Sequence, residues 1–250
     1  MKIIINPAFH HLEHFIRHLP IGFEGEGLSI YKARNEIKVF EVDGLALNVK
    51  SYRKPIFLNR VIYTFFRKSK ARRAYENALE VSERGFNTPT PIAFIEENSG
   101  GLLERSYFIS MQCPYSRMLR EFEDNTDITG REDILQALGA YVAALHKAGI
   151  LHLDLSIGNI LFEKDGAGIH FCLIDINRMK FQTIGQKVGC KNFERLRGSE
   201  AFFKVLADSY AKACGYDAED CFREMLHYYR KSIERFRRKR AFKQWIRKKR

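Results

Sequence analysis

The 250-residue sequence has little of what defines several classes of protein. Its five cysteines form no Cys-x-x-Cys pair, and an odd number does not suggest a disulfide framework, so a reducing cytosol is expected. No apolar run approaches the ~18 residues that a membrane-spanning helix needs, and the apolar run at the start is too short for a signal peptide. With only six prolines, the chain is expected to be globular throughout and either soluble or peripheral to a membrane.

Acidic residues are scarce in two stretches. Residues 230–250 hold twelve Lys or Arg and one acid, Glu234, and therefore carry +11 of the formal net charge of +12. Large apolar side chains lie among these cations: Phe236, Phe242, Trp245 and Ile246. Such a segment suits an anionic surface, either bilayer headgroups or nucleic acid, and a solvated helix without a partner is the alternative. Residues 50–73 hold nine basic residues and no acid, which suits an anionic acceptor.

The most informative polar residues lie between positions 150 and 178. His152, Asp154 and Asn159 follow the order His-x-Asp-x-x-x-x-Asn, and Asp175 comes after Phe171–Ile174, which read as a buried strand. Phosphoryl transfer needs a group that orients the attacking hydroxyl, which suits Asp154, and oxygen ligands for magnesium. Asn159 and Asp175 suit the metal. Ordinary turn residues are the alternative, but the joint spacing favours a phosphotransfer site.

The backbone between these residues is predicted to reverse direction. Ile160–Phe162 and Cys172–Ile174 look like two strands of a hairpin joined by residues 163–166, which would return Asp175 toward Asp154. The preceding helix is predicted to start at a capping box, Thr129-Gly130-Arg131-Glu132, and to stop at Gly149. His146 on this helix is expected to be structural or exposed.

This stretch resembles the catalytic core of the protein-kinase-like superfamily, and in detail the bacterial lipopolysaccharide core kinases, which phosphorylate Kdo or heptose. Asp175-Ile176-Asn177-Arg178 matches the Asp-x-Asp/Asn-Arg signature of that family. The resemblance covers about residues 28–215 and implies an α+β, protein-kinase-like two-lobed fold. A small antiparallel-sheet N-lobe with one helix is expected over residues 1–113, and a mainly helical C-lobe over residues 114–250.

The resemblance implies roles for residues of the N-lobe. Lys50 ends the strand launched by the Asp43-Gly44 turn, where kinase-like proteins send a lysine to the nucleotide phosphates. Within a helix predicted over 69–84, Glu76 is expected to pair with Lys50, and Glu80 is the rival. The remaining expected nucleotide contacts are phosphate contacts by Lys32 and Arg34 and adenine contacts by the connector Met111–Cys113, for which a plain linker is equally consistent.

Departures from protein kinases indicate the acceptor. Ser156 stands where protein serine/threonine kinases usually have a lysine, and Leu153 stands where they have an arginine that reads a phosphorylated activation loop. The glycine of Asp-Phe-Gly is replaced by Asn177, and no Ala-Pro-Glu occurs. These differences favour a constitutive sugar or small-molecule kinase, with Ser156 a candidate substrate contact.

The resemblance therefore implies an ATP-dependent kinase acting on lipopolysaccharide inner core, Kdo first and heptose second. Asp154 would orient the acceptor hydroxyl, His152 would brace the loop, and Asn159 with Asp175 would hold Mg²⁺. Arg178 would recognise acceptor or phosphate charge, or form a salt bridge. Because such an acceptor sits on lipid A at the inner face of the bacterial cytoplasmic membrane, residues 230–250 are expected to bind that anionic surface.

Two other functions are open from the sequence. A phosphotransferase of the aminoglycoside or choline kinase type would need an acidic pocket for its cationic acceptor, which the basic 50–73 stretch does not supply. A kinase-shaped binding protein without turnover could hold RNA through its basic end, but all four catalytic polar residues are present. Nucleic acid is therefore not the expected partner.

Overall fold

A six-stranded antiparallel sheet forms the framework of the N-terminal part of the chain in the computed structural model, which describes residues 1–123 and 128–248. Its strands are β1 (Lys2–Ile5), β2 (Leu28–Lys32), β3 (Glu36–Val42), β4 (Leu45–Tyr52), β5 (Pro91–Ser99) and β6 (Leu102–Met111). They lie in the order β1-β5-β6-β4-β3-β2. The expected small antiparallel sheet of the N-lobe is therefore present, with β1 at one edge.

Local chemistry explains the turn between β3 and β4. Asp43 and Gly44 both have positive φ values, 51° and 75°, as a two-residue hairpin turn of this type requires. The turn brings β3 alongside β4 with Glu36 opposite Ser51 and Val42 opposite Leu45. The predicted hairpin is therefore confirmed, and its register places Lys50 opposite Ile37.

Three helices accompany this sheet: α1 (Glu13–Gly22), α2 (Phe57–Phe65) and α3 (Lys70–Glu83). The expectation of one helix in the N-lobe is wrong, since α1 and α2 are present as well as α3. Helix α3 was expected because it has a clear sequence signal. Ser69 caps α3, its Oγ accepting a hydrogen bond from Arg72 N at 3.1 Å. The α3 residue Tyr75 packs against Phe94 of β5, with 5.4 Å between ring centroids. The predicted helix over 69–84 is confirmed.

Helix α1 supplies the core on the other side of the sheet. Its buried residues Ile16 and Leu19 belong to one apolar cluster with Leu47, Val49 and Ile109 of the strands. Lys38 of β3 is buried and donates hydrogen bonds to three carbonyl oxygens after α1, those of residues 23, 24 and 26. A buried ammonium group thus satisfies carbonyls at the end of this helix.

The chain divides into two compact units. The first unit comprises Met1–Pro114 and Cys172–Arg178, and the second comprises Tyr115–Phe171 and the chain from Met179 onward. The predicted division after residue 113 had assigned residues 172–178 to the second lobe. They pack with the first unit because Leu173 N donates to Asn87 O at 3.0 Å and Thr88 Oγ1 donates to Leu173 O at 2.8 Å.

The second unit is mainly helical. Its helices are α4 (Arg131–Lys147), α5 (Gln186–Asn192), α6 (Glu200–Cys214) and α7 (Ala218–Lys248). Its strands are β7 (Arg117–Met118), β8 (Ile150–His152), β9 (Ile160–Asp165), β10 (Gly168–Leu173), whose last two residues belong to the first unit, and β11 (Met179–Phe181). Short 3-10 helices span Leu119–Phe122 and Phe193–Arg195 in this unit, and Pro7–Leu12 in the first unit. The α+β class with an antiparallel sheet is confirmed.

Two local predictions for the second unit had different outcomes. The hairpin is confirmed as β9 and β10, with a shorter turn in which Asp165 Oδ1 accepts from Ala167 N at 2.8 Å. The capping box at Thr129 is wrong. Helix α4 begins after Gly130, whose φ is 70°, and no side chain caps it. A left-handed residue at this position favours glycine, which moves the cap past the threonine.

Helix α5 packs closely because it carries a glycine where it meets α6. A Cβ atom added at Gly189 would lie 2.0 Å from Tyr210 Oη. Tyr210 Oη is itself within 2.9 Å of His146 Nδ1, so it is not free to turn away. Gly189→Ala is therefore expected to destabilise the protein by about 2 kcal/mol, measured by urea unfolding.

The control for this prediction is Gly166→Ala in the β9–β10 turn, where an added Cβ meets no heavy atom within 4 Å. It is expected to change stability by less than about 0.5 kcal/mol. Equal stabilities for the two variants would contradict the close approach of α5 and α6.

Candidate functional site

Two residues that the sequence predicts to be functional form an ion pair in the first unit. Lys50 Nζ donates to Asp175 Oδ1 at 2.7 Å, and the two side chains are 13% and 33% exposed. Lys50 projects from β4, and Asp175 follows β10 two residues after its end. The structure thus brings together two residues that were predicted separately from a strand end and a hairpin.

The backbone around Asp175 is held in an unusual conformation. Asp175 has a φ of 55°, which non-glycine residues adopt rarely and at a cost of about 1–2 kcal/mol. Buried Asn177 donates from Nδ2 to Asp175 Oδ1 at 2.5 Å, and Asn77 of α3 donates from Nδ2 to Ile176 O at 2.6 Å. Strain that neighbours hold in place is typical of functional positions. Asn77 is a contributor that sequence reasoning missed.

The predicted partner of Lys50 is wrong. Glu76 accepts hydrogen bonds from Lys68 Nζ at 2.8 Å and Arg72 Nε at 2.9 Å. Burial alone would raise the pKa of Glu76, but these two cations lower it. The rival Glu80 pairs with Arg84 at 2.5 Å. The Arg72–Glu76 spacing of four residues on a helix was the sequence signal for this alternative pairing.

Half-buried cations lie near this ion pair. Burial, followed by the charges of Arg34 and Arg73, lowers the pKa of Lys70. The pKa of Arg73 is likewise lowered, by burial and then by Arg67, with a smaller contribution from Arg178, and its Nε is buried without a hydrogen-bond partner among the described residues. Like charges at half-buried positions are unfavourable unless an anion joins them.

A cavity of about 590 Å³ opens beside these cations in the first unit. Arg34, Arg53, Lys70, Arg105 and Tyr52 are among its lining residues. Of the two cations predicted to contact phosphates, Arg34 therefore lies in a cationic cavity. Lys32 instead pairs with Glu36 at 3.3 Å and is 71% exposed.

The connector predicted to contact adenine follows β6. Met111 N donates to Thr90 O at 2.9 Å and Gln112 N donates to Ala46 O at 2.8 Å, so both groups are used within the first unit. Cys113 lies beside Cys172, and their hydrogen bond together with burial raises the pKa of the Cys172 thiol. An adenine contact at Met111 N is thus excluded in this conformation, and one at Cys113 stays a prediction.

The second unit holds the predicted catalytic loop, which follows β8. His152 is buried, and its Nδ1 accepts from Asp154 N at 3.0 Å. Asn159 Nδ2 donates to Asp154 O at 2.9 Å, and Asn159 N donates to Ser156 O at 2.9 Å. His152 and Asn159 therefore fix the loop backbone on both sides of Asp154. Because Asn159 Nδ2 donates within the loop, Oδ1 is the atom of this side chain that would bind a metal.

The carboxylate of Asp154 has a partner that the sequence did not reveal. Arg195 Nη1 forms an ion pair with Asp154 Oδ1. Arg195 belongs to the 3-10 helix Phe193–Arg195, which follows α5. No spacing rule connects positions 154 and 195, so only tertiary structure could reveal this contact.

Oxygen atoms of Asn159 and Asp175 are the type of donor that magnesium prefers. Among the residues that the structure describes, no group of three His, Cys, Asp or Glu could hold a metal ion. Magnesium in nucleotide-dependent enzymes typically takes one or two carboxylates together with substrate phosphates and waters. The Asp175 carboxylate of the first unit therefore fits a magnesium ion that is held mainly by phosphates and waters.

Buried hydrogen bonds connect this loop to α4 and α6. His146 is buried, with Nδ1 2.9 Å from Tyr210 Oη and Nε2 3.1 Å from Asn192 Oδ1. Asn192 Nδ2 in turn donates to His152 O at 2.8 Å. Burial lowers the pKa of His146 to about 4, so the imidazole is neutral near pH 7. The histidine is structural, as expected.

The basic end of the chain forms part of α7. Phe236, Phe242 and Trp245 are exposed, and the last two rings stack with 6.0 Å between centroids. Arg235 pairs with Glu194 at 2.6 Å. Residues 249–250 of the predicted membrane-binding segment lie outside the described residues. Among the described helices, none is both long and apolar enough to cross a membrane.

The depressed pKa of His146 predicts a specific loss of stability in acid. The unfolded imidazole takes up a proton near pH 6.5, whereas the folded one does so only near pH 4. Stability should therefore fall as the pH drops between these values, by a total of about 3 kcal/mol, and this contribution should then level off. Urea unfolding at a series of pH values measures the slope.

His146→Gln is expected to remove that part of the pH dependence, and His11→Gln, at an exposed position, is expected to keep it. The same slope in the parent protein and in His146→Gln would show that another group is responsible.

Known proteins resemble this chain in sequence and in fold. Residues 31–216 match the family described as the lipopolysaccharide kinase (Kdo/WaaP) family. A 3-deoxy-D-manno-octulosonic acid kinase of Xanthomonas euvesicatoria pv. vesicatoria (strain 85-10) is 30% identical over 122 residues, which cover 48% of this chain and 45% of that protein. The enzyme of the same name from Pasteurella multocida (strain Pm70) is 26% identical over 144 residues, covering 57% and 59%. The chain thus spans about half the length of these relatives.

A solved structure shares the fold. "WaaP in complex with acyl carrier protein" matches with a TM-score of 0.64 at 15% identity, covering 94% of this chain and 99% of that chain. The expected protein-kinase-like fold is therefore confirmed. Because the family match covers well over half of the sequence, the chain belongs to the Kdo/WaaP lipopolysaccharide kinase family.

Proposed function

We propose that the chain is an ATP-dependent kinase that phosphorylates a sugar hydroxyl of lipopolysaccharide inner core, Kdo first and heptose second. Family membership supports the reaction class, and the names of the relatives support Kdo. The observation that carries the proposal is the Lys50–Asp175 pair, in which a lysine from the sheet meets the acid of the signature Asp175–Arg178.

The side chains take distinct roles in this proposal. Asp154 orients the acceptor hydroxyl and accepts its proton as the oxygen attacks the terminal phosphorus of ATP. The bond from this phosphorus to the bridging oxygen breaks, and ADP leaves. His152 and Asn159 hold the loop backbone, which keeps the Asp154 carboxylate in place. Asn159 and Asp175 would hold magnesium, which neutralises phosphate charge when bound. The ion pair between Arg195 and Asp154 must break before an acceptor hydroxyl can donate a hydrogen bond to the Asp154 carboxylate.

The cations of the first unit support phosphate binding. Lys50 is partly buried beside Asp175, and Lys70 and Arg73 both have lowered pKa values because of burial and neighbouring positive charge. A bound polyphosphate would offset that repulsion and would pair with the guanidinium of Arg34. These cations also fit an acidic sugar better than an aminoglycoside or choline.

The proposal extends to where the enzyme works and to which partners it binds. An acceptor on lipid A would require the enzyme to work at the cytoplasmic face of the inner membrane, and the exposed cations and aromatic rings of α7 suit such a surface. The WaaP structure was solved with acyl carrier protein, and an acyl carrier protein is therefore a second candidate partner for the basic residues of α7.

Intact-mass spectrometry tests the reaction. Incubation with ATP, magnesium and Kdo-lipid A is expected to add one phosphate to the acceptor. Phosphorylation of a heptose-containing acceptor alone would move the assignment to heptose, and transfer to an aminoglycoside would replace it. No transfer to any of these acceptors would support a binding protein without turnover.

Substitution of the two acids is expected to separate catalysis from folding. Asp154→Asn and Asp175→Asn should each lower kcat by about a hundredfold or more, because one loses the proton acceptor and the other a charged metal ligand. Radiolabelled transfer from ATP measures the rate, and circular dichroism checks the fold.

The matched control is Asp208→Asn on α6, where the acid pairs with Lys204 on the same helix at 2.9 Å. It should leave kcat within about twofold. Turnover retained in either Asp154→Asn or Asp175→Asn would contradict the roles assigned to these acids.

A further inference from the structure

Helix α2 is attached to the first unit by its polar side chains. Arg60 Nε donates to Leu103 O at 2.9 Å, and its guanidinium pairs with Glu104 at 2.9 Å. One turn later, Thr64 Oγ1 accepts from Leu103 N at 2.9 Å. The contacts of α2 with β6 thus include polar side chains, whereas an ordinary surface helix meets the protein mainly through apolar ones.

Five apolar side chains in and beside α2 are exposed to solvent, whereas Val61 and Ile62 are half-buried. Phe57, Leu58 and Phe65 are 71%, 67% and 68% exposed, and the flanking Ile56 and Phe66 are 71% and 80% exposed. Leu58 and Phe65 are seven residues apart and so lie on one face of the helix. These five residues form the α2 apolar face. An exposed apolar cluster of this kind marks an interaction surface.

Cations surround the α2 apolar face. Arg53 precedes the helix and Arg67 follows it, both exposed, and neither forms an ion pair with an acid in the described parts of the chain. Glu104 and Glu76, from outside the 50–73 stretch, neutralise part of its charge by pairing with Lys54, Arg60, Lys68 and Arg72. The surface next to the apolar side chains therefore remains positive.

We propose that α2 is a membrane-docking helix that lies in the headgroup layer of an anionic bilayer. Such a bilayer offers hydrocarbon to the α2 apolar face and negative charge to Arg53 and Arg67 at the same depth. A second copy of the chain would instead set these cations against the same cations. A neutral apolar partner would leave the cations without a counterpart. The proposal does not depend on which acceptor the enzyme phosphorylates.

A tryptophan reporter tests the position of α2 in the full chain. The sequence contains a single tryptophan, so Trp245→Phe gives a silent background and Phe65→Trp adds a probe on the α2 apolar face. Vesicles of phosphatidylcholine and phosphatidylglycerol in equal parts should shift its emission to the blue. Brominated acyl chains should quench it, and pure phosphatidylcholine should cause much smaller changes. Leu28→Trp, at a 70% exposed position of β2, is the matched probe that should not respond.

A flotation assay measures the contribution to affinity. Leu58→Ser combined with Phe65→Ser should lower binding to the same anionic vesicles by about tenfold. The control combines Ile21→Ser with Leu28→Ser, which are 85% and 70% exposed in the same unit, and should bind like the parent protein. Thermal unfolding of each variant confirms that the fold is kept.

Three outcomes would overturn the proposal. In the first, the chain floats with vesicles while the Phe65→Trp probe does not change, which would assign binding to another surface such as α7. In the second, the probe shifts with protein concentration alone, which would indicate self-association. In the third, it responds to an acidic protein but not to anionic vesicles.

Discussion

The ion pair between Lys50 and Asp175 fixes the positions of the predicted functional residues in the first unit. It joins residues 125 positions apart, and it holds a carboxylate whose backbone has an unfavourable positive φ. A partly buried ion pair is weak support for stability, because desolvation of both charges opposes their attraction. Two asparagines add hydrogen bonds to this segment, Asn177 to the carboxylate and Asn77 to the adjacent carbonyl. These polar contacts surround one strained acid, which indicates that they maintain the position of Asp175 and contribute little to the stability of the fold.

The loop of the second unit is held by a different device. Neutral hydrogen bonds run from Tyr210 through His146 and Asn192 to the backbone of His152, and His152 then accepts from Asp154 N. Because His146 is buried and neutral near pH 7, the connection adds no charge beside the reactive acid. A reactive carboxylate on a loop needs such support, since a small misplacement costs a large factor in rate. The acid itself stays accessible to charged partners such as Arg195.

Predictions from the sequence succeeded where neighbouring residues determine the structure. The Asp43-Gly44 turn, the β9–β10 hairpin and helix α3 each follow from local backbone preferences and from the alternation of apolar residues. They failed where a contact was assigned by analogy or where the partner lies far along the chain. Glu76 was assigned to Lys50 by analogy, although Lys68 and Arg72 are closer along the chain. Strand β1 and the Arg195 contact depend on pairing with distant residues, which no local pattern contains.

The orientation of α2 is a second feature that no local sequence pattern determines. A periodic set of apolar residues predicts which face of a helix is apolar, but it does not say whether that face meets the core. Here Arg60 and Thr64 bond to the sheet, and the phenylalanines remain outside.

The cations of the chain fall into two groups that differ in burial and therefore in how strongly salt screens their charge. Lys70 and Arg73 are half-buried, and their lowered pKa values mean that folding leaves positive charge partly desolvated and crowded. A bound anion would relieve that cost, and salt screens such an interaction weakly. Arg53, Arg67 and the cations of α7 between Arg230 and Arg240 are exposed, so solvent stabilises them already and salt screens their attraction to a surface strongly. Salt should consequently weaken attachment to an anionic surface before it weakens phosphate binding, because burial, not charge number, separates the two groups.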